Sequence, residues 1–366
     1  MNKRLIFTLA FLAIVVVSAG IAIFMAKGYR FSADQKRIIG TGIVTVASVP
    51  DSASVFVDGH LTTATNATIS SLPAKTYSIK VVKEGFIPWE KQIEVKEGLV
   101  NEIKITLFPA IPTMYPLTFN GVSSPTLSED GSKLAYIVPS TAGKKAGVWV
   151  WTMVNNQPIA FARSAEPHQI AAATTADFSK ATLKWSADSS QVLATVGNSN
   201  FLLDADSLNT DPRDITPTLA LTTKGWEEDK VAKNQVRTLA ILNNNLRKVA
   251  SDSAEVFWAP DETKFMTNSK VYDLEENERS SSSTEEYSLP QAKAQIWLPN
   301  SKHIILVEEN TISVVEFDGT NKAVIYAGKF ENGFVFPWPD SSRLVIISSF
   351  PTPTASEPNF YGINLR

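Results

Sequence analysis

The chain has 366 residues, 44% of them hydrophobic, and a formal net charge of −3. That is enough apolar material for two or three domains with separate cores, which excludes a disordered chain, and the absence of any long run of one charge excludes an electrostatic footprint for nucleic acid. There is no cysteine, which excludes structural disulfides, thiolate catalysis, cysteine-ligated zinc and a lipidated N-terminal cysteine.

After Met1-Asn2-Lys3-Arg4, the run from Leu5 to Met25 holds 21 residues without a charge. At about 1.5 Å per residue, such a helix spans a hydrocarbon core of roughly 30 Å. A cleaved secretory signal is the competing reading, because Val17-Ser18-Ala19 supplies small residues of the kind found at cleavage sites. The apolar run continues six residues past Ala19, which favours an uncleaved anchor within residues 1–37, and so the membrane as one partner. Lys3 and Arg4 stand on one side, Lys27, Arg30, Lys36 and Arg37 on the other. Positive charge alone therefore does not set the orientation.

Residues 38–108 carry short alternating apolar runs, Ile43-Thr45, Val55-Val57, Tyr77-Ile79-Val81, Ile93-Val95 and Ile103-Ile105-Leu107, separated by Pro, Asp, Gly and Asn. This is the period of half-buried strands and predicts a small antiparallel β-sandwich. Asp58-Gly59 reads as a hairpin turn, while Phe86 and Trp89 read as packing residues.

Pro50, Ala53, Val55, Val57, Asp58 and Gly59, then Leu72, Pro73 and Tyr77, then Gly85, Phe86 and Trp89 resemble the pattern of a PEGA domain. The family usually has Gly where Lys75 stands, and the Pro-Glu-Gly-Ala tetrapeptide is missing. The resemblance implies a small β-sandwich of prokaryotic envelope proteins, serving as spacer or binding module, without catalytic residues.

The segment FPAIPTMYP at 108–116 reads as a stiff linker, and residues 109–116 separate two domains. From residue 117 to 366 one unit recurs five times: PTLSEDGSKLAYIV, LKWSADSSQVLATV, VFWAPDETKFMTN, QIWLPNSKHIILV and VFPWPDSSRLVII. The copies align on Asp130, Asp188, Asp261, Asn300 and Asp340. Three residues earlier stand Leu127, Trp185, Trp258, Trp297 and Pro337. Each copy reads as strand, four-residue turn and alternating second strand, with Pro260, Pro299 and Pro339 fixing φ at the second turn position. The Trp is expected to pack between neighbouring sheets, making the Trp–Asp pair a corner device whose mutation unfolds the blade.

The spacings are 58, 73, 39 and 40 residues, and the last two match a four-stranded propeller blade. Five blades follow, or six if a degenerate copy lies in a long gap. Further strands are read at GVWVWTMV, PIAFA, NFLLDAD, KVYDLE, TISVVEF, AVIYAG and NFYGINLR. The last copy lacks an outer strand, which residues 114–118 would supply. The repeats resemble the Trp-Ser-Pro-Asp-Gly repeats of TolB-type propellers, although none reproduces the pentapeptide in full. The architecture as a whole resembles envelope proteins of bacteria.

The gap of 73 holds Val236, Leu239, Leu242, Leu246 and Val249 at steps of three or four. This stripe predicts an inserted helix or helical pair near 224–252, packed on the propeller or binding a partner. RSSSSTEEYS at 279–288 reads as a surface loop.

Chemistry-bearing motifs are sparse. His60, His168 and His303 are isolated, and there is no metal-binding His pair, phosphate-cradling glycine loop or nucleophile elbow. DADSLNTD at 204–211 fails as a calcium loop because Leu208 takes a ligand position. SEDGS at Ser128 fails as a sialidase-type turn because Ser132 replaces Gly. Neither catalytic residues, cofactor nor metal is assigned.

The expected fold is thus all-β: an N-terminal transmembrane helix (5–25), a PEGA-like sandwich (38–108) and a β-propeller. The expected function is a non-enzymatic envelope protein with its bulk outside the cytoplasm, binding an envelope protein or glycan. The first alternative is a carbohydrate-active enzyme with carboxylates about 5–9 Å apart around the propeller channel. The second is a scaffold facing the cytoplasm.

Overall fold

The computed structural model of the chain describes residues 3–26, 29–32, 37–153, 166–174, 176–279, 285–331, 333–349 and 357–366. Two compact units emerge, Met1–Ile111 with Arg366, and Pro112–Leu365.

The first unit opens with helix α1, Lys3–Ala26. Within it Phe7–Phe24 has a mean hydropathy of 2.6 and is long and apolar enough to cross a membrane. Eight strands follow: β1 (Tyr29–Ser32), β2 (Arg37–Val49), β3 (Ser54–Val57), β4 (His60–Ala64), β5 (Ala67–Pro73), β6 (Thr76–Val82), β7 (Trp89–Glu94) and β8 (Val100–Thr106). One sheet runs β1-β2-β5 with β8 also on β2, and the other runs β4-β3-β6-β7. Alternation delivers the core: Val55 and Val57 from β3 and Tyr77, Ile79 and Val81 from β6 meet Val44, Val46, Trp89, Ile105 and Leu107.

The sandwich is not wholly antiparallel. β8 pairs with β2 in parallel, from Ile43 opposite Val100 to Val49 opposite Thr106. The chain reaches β8 only after building the whole second sheet, and that long excursion is the crossover a parallel pair needs.

Among the described residues the second unit holds five four-stranded antiparallel sheets in chain order. The first holds Ser123–Leu127, Lys133–Val138, Gly147–Thr152 and His168–Ala172. The second holds Thr182–Trp185, Gln191–Val196, Ser199–Asp204 and Arg213–Asp214. The third holds Phe257–Trp258, Lys264–Thr267, Lys270–Asp273 and Tyr287–Ser288. The fourth holds Ala294–Trp297, His303–Val307, Thr311–Glu316 and Ala323–Ala327. The fifth holds Val335–Pro337, Arg343–Ser348 and Asn359–Asn364, and its fourth strand is Met114–Pro116 from the start of the unit.

Shared cores join blade 1 to blade 2 and blade 3 to blade 4. A further core of Leu134, Tyr136 and Trp151 with Phe336, Val345 and Phe360 joins blade 5 to blade 1. Sequential sheets, a last-to-first core and a closing strand from the opposite end define a five-bladed β-propeller.

The second strand of each blade reads as alternating in sequence, yet His303–Val307 is buried at every position and Lys133–Val138 at all but the first. A sheet covered on both faces by its neighbours has no solvent side, so alternation gives way to a continuous apolar run. PIAFA (158–162) lies outside the described residues, as do residues 280–284 of the Ser-rich stretch at 279–288. The fourth strand of blade 1 is instead His168–Ala172.

The insertion comprises helices α2 (Leu219–Ala240) and α3 (Asn244–Asp252). It starts earlier than its apolar stripe suggests, because a turn of 3-10 helix at Thr216–Thr218 with Pro217 near its start leads into α2. A short helix α4, Leu274–Arg279, follows the third strand of blade 3. Of the helix or helical pair that the stripe allows, the chain builds the pair, and the stripe is divided between them. Ile241 is extended and the Asn243 side chain accepts from the amides of Asn245 (2.9 Å) and Leu246 (3.3 Å), starting a new helix. Leu246 is buried and Val249 half-buried, whereas Val236, Leu239 and Leu242 are exposed.

Candidate functional site: the repeat turns and the inserted helices

The five repeat residues all sit in one kind of corner. In each, the amide one residue after the Asp or Asn bonds back to the carbonyl three residues earlier: Gly131 to Ser128, Ser189 to Ser186, Glu262 to Ala259, Ser301 to Leu298 and Ser341 to Trp338. The aligned side chain then accepts from the amide two residues on, at 3.0 Å for Asp130–Ser132, 3.1 Å for Asp188–Ser190, 3.0 Å for Asp261–Thr263, 3.0 Å for Asn300–Lys302 and 2.8 Å for Asp340–Ser342. This is a short-side-chain turn bond, the reason Asp and Asn serve and longer acids do not.

Hydroxyls add to it. Ser128 and Ser186 donate to Asp130 and Asp188 at 2.6 Å. Burial pushes the Asp130 carboxyl upward, but bonds from Ser128, Ser132 and Ser189 outweigh it and hold the group below its ordinary value. The Ser186 hydroxyl, then Ser190, depress Asp188 likewise. These acids are held ionised within their own turns, the reverse of a general acid.

The position after the aligned residue has positive φ in all five copies: Gly131 68°, Ser189 61°, Glu262 59°, Ser301 56° and Ser341 57°. Only the first copy uses Gly. In two others the side chain has a second role across the seam. The Asp130 amide donates to Ser189 Oγ (3.4 Å) and the Asp261 amide to Ser301 Oγ (3.0 Å), tying blade 1 to blade 2 and blade 3 to blade 4. Sequence reading missed these serines. The alignment carried their signal as a non-glycine residue where a left-handed turn calls for Gly.

The three tryptophans diverge. Trp185 is 2% exposed and its Nε1 donates to the Thr126 carbonyl of blade 1 at 2.9 Å. Trp297 repeats this with the Phe257 carbonyl of blade 3, also at 2.9 Å. Trp258, at the seam between blades 2 and 3, is half-buried, and its Nε1 has no hydrogen-bond partner among the described residues. Its ring lies against Phe265, which packs with Ile241, Leu246 and Ala250 of the insertion. Helix α3 therefore covers the face of blade 3 on which Trp258 sits.

Helix α2 is tied to two of the repeat turns through residues that the sequence had not singled out. Lys230 pairs with Glu129 in the turn of blade 1. Arg237 pairs with Glu262 in the turn of blade 3, its Nη2 at 2.7 Å and its Nε at 2.8 Å from one carboxylate oxygen.

In the first unit, Asp58 and Gly59 both have positive φ, 48° and 82°, as a two-residue type I′ hairpin requires. Lys75 does not lie in the left-handed region, so Gly is not needed there. Its ammonium instead bonds Asp58 at 2.8 Å and sits 4.4 Å over the Tyr77 ring. Lys75 and the Ser78 amide hold Asp58 below its ordinary value. Ala53, Val57, Tyr77 and Trp89 are core residues, Pro50 is half-buried, and Pro73 and Gly85 are exposed, Gly85 at φ 80°.

The histidines are dispersed. His60 is exposed on β4, His168 Nε2 contacts the Ala205 carbonyl at 3.1 Å, and buried His303 contacts the Asn300 amide at 3.0 Å. Among the described residues no three or more His, Asp or Glu side chains are grouped to hold a metal ion. The 204–211 loop is closed by Asn209, which bonds the carbonyls of Ile170, Asp204 and Ser207.

This arrangement defines a propeller protein with an apolar N-terminal helix and a small β-sandwich module. Residues 41–111 match the PEGA domain family. No curated protein matches the chain. Among solved structures, a protein assigned as TolB in Agrobacterium tumefaciens is similar at 12% identity and a TM-score of 0.23, covering 69% of this chain and 89% of that one. TolB from Acinetobacter baumannii is similar at 9% identity and a TM-score of 0.24, covering 80% of this chain and 60% of that one.

Proposed function

We propose that this is a membrane-anchored, non-enzymatic protein of the cell envelope, in which the PEGA unit serves as spacer and the propeller binds an envelope protein. The observation that carries this reading is the occupation of the repeat side chains: Asp130, Asp188, Asp261, Asn300 and Asp340 all accept bonds from their own turns. Polar residues that recur in the copies are thereby used by the corners, leaving function to the loops that differ between blades. A protein partner is favoured over a glycan because all eight tryptophans are buried or half-buried, whereas a sugar platform needs an open ring face.

The test is capture by the full chain in detergent from separated envelope-protein and polysaccharide fractions, with the eluted partner rebound as a purified species. Saturable rebinding of one protein supports the reading. Retention of polysaccharide with release of shorter sugars supports the carbohydrate-active alternative instead. Protease added to intact cells tests the location, because a propeller that survives until lysis faces the cytoplasm.

A further inference from the structure

Helix α2 is oriented against the usual logic of a surface helix. Its half-buried face carries Leu219, Thr223, Trp226, Lys230 and Arg237, with the two cations paired to Glu129 and Glu262 on the propeller. Its outward face carries Leu221, Ala232, Val236 and Leu239, and the three larger side chains are 74%, 69% and 62% exposed. Residues 221, 225, 228, 232, 236 and 239 follow one another at steps of three or four, so they form one stripe. Gly225 lies in that stripe. A Cβ added there would meet nothing within 4 Å, and no turn or positive φ calls for Gly in the middle of a helix, where it is unfavourable.

We propose that this stripe is the interface with a second copy of the chain, packed antiparallel about the middle of α2. A two-fold interface must be self-complementary. Antiparallel pairing brings Leu221 against Leu239 of the second copy and leaves Val236 the space over Gly225. It also sets Asp229 opposite the second copy's Lys233, and Lys233 opposite its Asp229. Parallel pairing would stack each charge on its like. Glu228, already paired with Lys224 at 3.5 Å, meets Ala232, which is small enough to leave its carboxylate in water. A lipid surface is the rival occupant, and Glu227-Glu228-Asp229 in the middle of the helix opposes it, because anionic headgroups repel them.

The chain has no cysteine, so single-cysteine variants of the full chain report proximity directly. Leu221→Cys and Leu239→Cys proteins are purified separately, mixed and oxidised. The two positions on one helix are about 27 Å apart, so the antiparallel pair predicts a cross-linked dimer from the mixture, with at least fivefold less from either variant alone. Val236→Glu in both proteins should reduce the cross-link tenfold or more, with the near-UV circular dichroism melt unchanged. Failure of the mixture to cross-link overturns the proposal, provided both variants melt like the parent, and so does equal cross-linking by Leu221→Cys alone. Protection of the introduced thiols from a water-soluble maleimide that depends on anionic vesicles, with no cross-link, overturns it in favour of lipid. Sedimentation velocity of the unmodified chain in detergent is a second readout, with a mass that stays monomeric up to about 100 µM also sinking it.

Discussion

The seam between blades 1 and 2 and the seam between blades 2 and 3 begin from the same local sequence, Trp three residues before Asp, and end as different structures. At the first, Trp185 is buried, donates to Thr126 across the seam, and is reinforced by Ser189 reaching back to the Asp130 amide. At the second, Trp258 has lost the corresponding carbonyl, and Glu262 stands where a serine would tie the blades. Glu262 turns instead to Arg237 of α2, and α3 fills the face of blade 3. A repeat residue thus specifies its own turn reliably. What it bonds beyond the turn depends on what the chain inserts next to it.

The largest effect that separates the two seams is truncation. Trp185→Ala should destabilise the propeller by about 3–5 kcal/mol, and Trp258→Ala by clearly less, both read from urea unfolding followed by near-UV circular dichroism. Equal losses would mean that the two seams are energetically alike. Next comes the insertion itself. Leu246, fully buried, should cost about 2–4 kcal/mol as Leu246→Ala, while exposed Leu239→Ala should stay within about 0.5 kcal/mol.

Removing only the indole N–H sharpens the comparison further. Trp185→Phe strands the Thr126 carbonyl and should cost about 1–2 kcal/mol, whereas Trp258→Phe removes a donor without a partner and should be near neutral in the same unfolding assay. The turn acids give a pH signature. Asp130 and Asp188 are depressed below the ordinary 3.8 in the folded protein, so their contribution is present above that pH and is lost as pH falls through the lower folded values. The propeller Tm should be flat above about pH 5, fall below about pH 4, and fall less steeply in Asp188→Asn. The smallest effect concerns the left-handed serine of blade 5: Ser341→Gly relieves φ 57° and should raise stability by about 0.5 kcal/mol, visible as a small rise in Tm.

Much of the blade plan was legible in the sequence, because Asp and Asn turns and Pro at the second position act through bonds inside six residues. The helical insertion was legible as a stripe fitting one helix or a pair, yet the place of the break was not. Asn243 caps a second helix, so Leu246 turns inward while Val236 and Leu239 do not, and periodicity alone cannot register a break that keeps the same spacing. The seam serines were not read, since their bonds join residues 40 to 59 positions apart. The parallel β2–β8 pairing was missed for a related reason: strand period reports which face is buried and carries nothing about direction.

By itself, then, the sequence determined the apolar helix, the alternating strands of the sandwich, the five corners and the presence of an inserted helical segment, all of which follow from interactions between near neighbours. Tertiary structure alone decided which tryptophans found a carbonyl, that Lys75 would answer Asp58, and that α2 would turn Lys230 and Arg237 to the propeller and Leu221 and Leu239 to solvent. Those outcomes depend on which distant backbone groups and charges arrive beside each residue, and that is fixed only when the blades and helices pack together.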